Sequence, residues 1–252
     1  MRLDVIGAGP AYTDRAGATG AAYLLRYAGS SLLLDLGQGS FPRLAGLVDP
    51  AGLEAIVISH LHPDHFIDLV PLRHYLRWEQ PRRRVNVLGP AGLAARLDAL
   101  HGESDFCAGA LDIDELVEGR RTIGPFELEV ARVTHTGSSF GFRVSVAPPS
   151  TTPGLVYSGD CGRAADLDAL ARPGDTLLCE VSFGAGPVAP GAQHLDGPAV
   201  GALARRVQAG RVLLTHLQMG FDRVATVDSV LARFDGGPVE LVDPGFETVI
   251  RI

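Results

Sequence analysis

Apolar residues fall into short blocks along this chain, separated by Gly, Pro and acidic positions. In the first half, blocks such as Leu32-Leu33-Leu34 and Ala55-Ile56-Val57-Ile58 predict strands near 2–7, 19–27, 31–36, 55–58 and 84–88. Helical spacing predicts helices near 40–48, 66–79 and 92–101. In the helix at 66–79, Leu69, Leu72 and Leu76 are three and four apart and form a core face. His74 and Trp78 share another face, either a subunit contact or half-buried surface. His101 beside Gly102 reads as a helix C-terminus, where positive charge is favourable. The second half predicts strands near 126–134, 139–146, 154–158 and 176–181. Helices near 197–208 and 224–234 then flank a strand at 211–215, and short strands close the chain. Pro148 to Pro153 is expected to connect two strands as a hairpin. Each half starts with strands and later alternates strand with helix. That order suggests two mixed sheets packed face to face with helices outside. No linker or charge block divides the chain, so 1–252 is expected to form a single domain.

With 252 residues, 46% of them hydrophobic, the composition is globular. No apolar run approaches the roughly 20 residues that span a bilayer, so no membrane partner is expected. Asp4 interrupts the first apolar stretch and no small-residue cleavage site follows. The expectation is therefore no signal peptide and a cytoplasmic location. The 22 basic residues are all Arg and face 29 acidic ones, a net charge of −7. Nucleic acid is not a favoured partner of such a chain, because phosphates demand a basic footprint. Arg82-Arg83-Arg84 reads as a solvated loop. Cys107, Cys161 and Cys179 are too few and too scattered for a disulfide framework, and Cys179 reads as a core residue.

The chemistry concentrates in His60-Leu61-His62-Pro63-Asp64-His65, which follows an apolar strand and precedes a helix. Three of the chain's eight histidines fall in this hexapeptide, which makes chance placement hard to sustain. Neutral imidazoles suit Zn, Fe, Ni or Cu, and carboxylates accept harder ions too. His60 and His62, two apart, can point the same way from an extended segment. Asp64 and His65 then turn towards a second position. His135, Asp160 and His216 each follow an apolar strand, and His194 sits in a loop before a helix. Strand ends are where open α/β architectures place their sites. Gly7-Ala8-Gly9-Pro10 follows the first strand and serves either a tight turn or substrate contact; it lacks the full dinucleotide fingerprint.

Ser59 to His65 resembles the HxHxDH signature of the metallo-β-lactamase fold superfamily, and the later His135, Asp160 and His216 follow its ligand order. The chain looks most like the ribonuclease Z branch and its arm-less bacterial relatives. His135-Thr136-Gly137-Ser138-Ser139-Phe140-Gly141-Phe142, Glu180-Val181-Ser182-Phe183 and the histidine at 194 carry that likeness. The resemblance implies an αββα four-layer sandwich and two divalent metal ions per chain. His60, His62 and His135 would hold one, Asp64, His65 and His216 the other, and Asp160 would bridge them. Zn²⁺ is the default for such donors, with Mn²⁺ or Fe also compatible. Relatives in this branch often form homodimers. Those that mature tRNA carry a long arm, in one common form between the third histidine and the bridging Asp. Here His135 and Asp160 are 25 residues apart, which leaves no room for one. Cys161 stands where the family often has Thr, and reads as packing.

Two ions roughly 3.5–4 Å apart can share a water and lower its pKa towards neutrality. Asp64 would bind metal and accept a hydrogen bond from that nucleophile. His194 would protonate the leaving oxygen, oriented and kept protonated by Glu180. The expected function is phosphodiester hydrolysis on a small or short phosphodiester substrate. A tRNA 3′-end endonuclease, a lactone, thioester or sulfate-ester hydrolase, and a non-catalytic metal-binding regulator are the alternatives.

Overall fold

The computed structural model describes residues 1–148 and 152–252. The first half supplies β1 (Arg2–Gly7), β2 (Ala22–Tyr27), β3 (Ser30–Leu34), β4 (Ala55–Val57), β5 (Val85–Gly89) and β6 (Leu111–Glu115). Helices α1 (Phe41–Leu47), α2 (Pro63–Phe66), α3 (Leu69–Trp78) and α4 (Leu93–His101) connect them. The second half supplies β7 (Gly119–Ile123), β8 (Phe126–Arg132), β9 (Phe140–Val146), β10 (Leu155–Tyr157), β11 (Thr176–Glu180), β12 (Arg211–Thr215) and β13 (Val239–Leu241). It also carries α5 (Gly197–Arg206) and α6 (Arg223–Leu231), and β14 (Glu247–Val249) closes the chain.

Each sheet has seven strands. The first runs β14-β1-β2-β3-β4-β5-β6 and the second β13-β12-β11-β10-β9-β8-β7. Both are mixed. Strands β3 to β6 run parallel, as do β10 to β13, whereas the remaining neighbours pair antiparallel. Successive side chains on a strand point to opposite faces, and this sorts the apolar residues into three layers. Leu25, Leu34 and Val57 of the first sheet join Leu128, Phe142, Tyr157, Leu178 and Leu213 of the second in a central core. Leu24, Leu33 and Ile56 face outward and meet Leu44 of α1, Leu69, Leu72 and Leu76 of α3 and Leu97 of α4. Leu177, Cys179, Val212 and Leu214 face α5 and α6 through Val200, Leu203 and Val230. The result is the four-layer αββα sandwich.

Three local details depart from the sequence pattern. The helix expected over 66–79 is broken between α2 and α3. A continuous helix would use the carbonyls of Asp64 and His65 internally, but they accept from Ala21 N and Leu36 N at 2.9 and 2.8 Å. The helix gives up its own ladder to lock the ligand loop onto the first sheet. Strands β6 and β7 were not expected, because Leu111-Asp112-Ile113-Asp114-Glu115 and Gly119-Arg120-Arg121-Thr122-Ile123 are polar. They are the outermost strands of their sheets, and charge on an edge discourages pairing with other chains. The segment expected as strand at 19–21 instead crosses towards Gln38 and Asp64. The hairpin connection expected at 148–153 includes residues 149–151, which lie outside the described residues, although β9 and β10 do pair antiparallel. Gly102, in the left-handed region at φ 74°, ends α4 after His101. Among the described residues no helix is long and apolar enough to cross a membrane.

A buried ion pair ties β9 to the start of β11. Arg143 donates to Asp175 from Nε at 2.8 Å and from Nη2 at 3.0 Å, and Asp175 also accepts from Arg172 N and Gly154 N. Asp175→Ala strands two amides and leaves the buried guanidinium with Glu129 Oε1 at 3.4 Å and the Thr152 carbonyl at 3.0 Å, and is expected to cost about 3 kcal/mol. A fall in the urea midpoint at constant slope would report it; an unchanged midpoint would contradict it.

Candidate metal centre

The site lies where strand C-termini converge. His60 and His62 follow β4 in extended backbone, and Pro63 then starts α2 at a position where its missing N–H costs nothing. That single turn turns Asp64 and His65 to one side. Asp160 follows β10, Glu180 is the last residue of β11, and His216 follows β12. Two of these ends require unusual backbone. His216 has φ 61°, rare outside glycine. Gly159 has φ 55°, and a Cβ there would stand 2.7 Å from the Phe140 carbonyl oxygen.

The structure brings all nine candidate residues together. His62 Nδ1 and His135 Nε2 are 3.2 Å apart, and His65 Nε2 and His216 Nε2 are 3.4 Å apart. His216 Nε2 lies 3.1 Å from Asp64 Oδ2. Asp160 stands between the two groups. Its Oδ2 is 3.6 Å from His60 Nε2 and 3.7 Å from His135 Nε2. Its Oδ1 is 3.3 Å from His65 Nε2 and 3.5 Å from His216 Nε2. Donor atoms within 4.8 Å of one another thus form one group of His60, His62, His135 and Asp160 and another of Asp64, His65 and His216. A third overlapping group is Asp160, His194 and His216. His194 Nδ1 lies 3.1 Å from Glu180 Oε1.

The outward nitrogens explain why the inward ones are free to bind. Ser182 Oγ donates to Glu180 Oε2 at 2.7 Å, so it accepts from His216 Nδ1–H at 3.0 Å. Ser59 Oγ donates to Asp35 Oδ2 at 2.8 Å, so it accepts from His60 Nδ1–H at 3.1 Å. His65 Nδ1 donates to Asp35 Oδ2 at 2.7 Å, and His135 Nδ1 to the Gln193 carbonyl at 2.7 Å. His62 Nε2 pairs with Thr136 Oγ1 at 2.9 Å. In four of the five cases the partner fixes the proton on the outer nitrogen and aims a lone pair inward, the arrangement expected around metal ligands.

The segment from 33 to 217 matches the family model described as a beta-lactamase superfamily domain. An uncharacterised protein of Mycobacterium tuberculosis, Rv1339, is 34% identical over 237 residues, 90% of this chain and 85% of its own. The probable metallo-hydrolase YhfI of Bacillus subtilis is 25% identical over 221 residues, 86% of this chain and 87% of its own. The crystal structure of YhfI superimposes with a TM-score of 0.85 at 22% identity, covering 98% of this chain and 99% of that one. A ribonuclease Z of Mycobacterium is 28% identical over 198 residues, 71% of this chain and 67% of its own. The chain belongs to the beta-lactamase superfamily. Within it, the chain is similar to YhfI and to the ribonuclease Z proteins.

The donor set suits a cation. His60 Nε2 and Asp160 Oδ1 are buried with no hydrogen-bond partner among the described residues. Orphaned buried polar atoms are costly, and both point into the cluster. Burial opposes ionisation of Asp160, only 2% exposed, but the charges of His216 and His65 outweigh it and hold its pKa well below the carboxylate norm. Burial likewise opposes Asp64, and the hydrogen bond from His216 with the charge of His65 brings its pKa down. Burial lowers the pKa of His60, His62 and His135, keeping them neutral as ligands must be. His65 and His216 go the other way: burial opposes their charge, but Asp160 and the other nearby carboxylates raise their pKa. The carboxylates here draw in positive charge, which protons supply when no metal does. For His194, burial is outweighed by the hydrogen bond and charge of Glu180, and its pKa is raised.

Sequence reasoning missed Asp35, Ser59, Ser182, Thr136 and the Gln193 carbonyl. Asp35 had a readable signal, since it ends β3 just as the ligands end their strands. It is fully buried at φ 59° and also accepts from Ser59 N at 2.6 Å and Tyr157 OH at 2.6 Å. Asp35→Asn removes an acceptor from His65 Nδ1–H and is expected to weaken metal binding by about 10–100-fold. Competition with a chromophoric chelator measures this, and an unchanged affinity would rule the role out. Cys161 is buried, and burial pushes its thiol up to about 12, as suits packing. At Gly7 a Cβ would meet the Gly20 carbonyl oxygen at 1.7 Å, so close backbone approach accounts for that glycine.

Proposed function

We propose that residues 1–252 act as one hydrolase domain, a binuclear metal-dependent phosphodiesterase for small or flexible phosphodiesters. The observation that carries this reading is Asp160, whose two oxygens face two separate histidine groups. His60, His62 and His135 would hold one divalent ion, Asp64, His65 and His216 the other, and Asp160 both. The donor set suits Zn²⁺, and also Mn²⁺ or Fe. Such a pair supplies a water of pKa near neutrality and neutralises charge on a transferring phosphoryl group.

The chain's own residues complete the chemistry. Asp64 stays ionised and accepts a hydrogen bond from the attacking water, fixing its lone pair. His194 gives its Nε2 proton to the leaving oxygen, because Nδ1 is committed to Glu180. Glu180 is itself held rigid, accepting from Cys161 N at 3.1 Å, Ser182 N at 2.9 Å and Leu195 N at 3.0 Å. A carboxylate so fixed keeps the imidazole oriented and protonated. A cavity of about 400 Å³, lined by Leu61, His62, Arg96, Thr136 and Ser138, opens beside His62 and suits a small substrate body. His135 and Asp160 are 25 residues apart and β9 and β10 already take ten of them, which is too short a stretch for a long tRNA-gripping arm. Assaying metal-reconstituted protein on bis(p-nitrophenyl) phosphate, a lactone, a sulfate ester and a pre-tRNA tests this reading. Turnover of the phosphodiester alone is expected, and turnover of the lactone alone would sink it.

A further inference from the structure

A second cavity lies against the loop after β1. It measures about 480 Å³ and is lined by Ala8, Gly9, Arg15, Arg43, Arg223 and Asp243, among others. Two of its lining residues are hydrogen-bonded to the backbone of the segment that carries His216. The Ala8 carbonyl accepts from His216 N at 2.9 Å, and Arg15 Nη1 donates to the carbonyl of Leu217, the next residue, at 3.4 Å. The other two guanidinium groups are also held from behind. Arg43 Nη2 donates to the Gly17 carbonyl at 3.0 Å, and Arg223 pairs with Asp243, from Nη1 at 3.1 Å. Three cations therefore face one carboxylate. Among the described residues neither Arg15 nor Arg43 forms an ion pair.

Concentrating positive charge in one concavity of a chain with net charge −7 focuses the local field on anions. Guanidinium groups match phosphate oxygens in shape and donor spacing. The carbonyl anchors take one or two N–H groups each and leave the remaining donors of Arg15 and Arg43 unused. Ala8 and Gly9 also give the loop after β1 a role beyond its tight turn, since they form the floor between His216 and the arginines.

We propose that this cavity is an anion subsite that takes a second phosphate of the substrate. It would favour phosphodiesters that carry a further phosphate group over those that do not. The assignment of the anion to the substrate rests on the phosphodiesterase reading; the anion site itself does not. Calorimetry on the metal-loaded protein with thymidine 3′,5′-bisphosphate, thymidine 5′-monophosphate and inorganic phosphate tests it without turnover. The bisphosphate is expected to bind at least about tenfold more tightly than the monophosphate, equivalent to ~1.4 kcal/mol. That preference should collapse in Arg15→Gln/Arg43→Gln, Arg43 being exposed and Arg15 half-buried, with the thermal midpoint reporting that the fold is kept. Equal affinities in the wild type, or a preference that survives the double variant, would overturn the proposal. Tight binding of inorganic phosphate that leaves monophosphate affinity untouched would overturn the link to substrate and make the cavity a separate phosphate site. If bis(p-nitrophenyl) phosphate is not turned over while the arginine-dependent preference persists, the reading of the centre fails and the anion site stands.

Discussion

Replacing Asp160 with alanine is expected to cost one of the two metal ions and to slow hydrolysis about 10³-fold or more. The carboxylate faces both histidine groups, with donor contacts of 3.6 and 3.7 Å on one side and 3.3 and 3.5 Å on the other. Without it, two divalent cations would sit roughly 3.5–4 Å apart with no carboxylate between them to offset their repulsion. The surviving site would lose a source of transition-state charge stabilisation worth several kcal/mol, and each 1.4 kcal/mol is about tenfold in rate. Asp160→Asn separates charge from shape: it keeps an oxygen donor but removes the negative charge, and should lose metal too, though no more than Asp160→Ala. A variant that holds two ions per chain and turns over at the wild-type rate would end the bridging assignment.

His194→Ala is expected to keep both ions and to slow turnover by about 10²–10⁴-fold, the range for a lost general acid. Nδ1 is bound to Glu180 at 3.1 Å, and the ring is 19% exposed, at the boundary between the cluster and solvent. The loss should depend on the leaving group. A p-nitrophenolate departs without a proton, so the variant should retain most of its rate on p-nitrophenyl esters and lose it on alkyl esters. The rival role is structural and specific, because His194 also belongs to a donor group with Asp160 and His216. If it were a ligand, metal content would fall with activity, and both ester classes would suffer equally. Glu180→Gln should reproduce the leaving-group dependence in weaker form, since Gln can still orient the ring but cannot hold it charged.

The ligands were legible because they come as a dense local word, His60 to His65, and then at the ends of readable strands. Their partners were not. Ser59 and Ser182 are ordinary serines in a sequence, and they matter only because the fold sets each between a carboxylate and an imidazole. Asp35 stands apart, since it ends an apolar strand in the same way as His216 and could have been read by the same rule. The central and outer cores were legible through the two-residue alternation of strands such as β2, β3 and β12. The acidic β6 and the Arg-bearing β7 were not, because edge strands are selected for charge more than for burial. The break between α2 and α3 was hidden for another reason. It is made by Ala21 and Leu36, which lie far off in the chain and take the helix's carbonyls.

The claim on which the rest depends is that one buried cluster holds two ions. Metal analysis of the purified, metal-saturated protein, paired with its native mass, addresses this most directly. Two ions per chain are expected, falling to fewer in Asp160→Ala, with hydrolysis lost on chelation and restored on adding metal back. A wild-type protein that saturates at one ion per chain, or that hydrolyses phosphodiesters after complete removal of metal, would contradict the account.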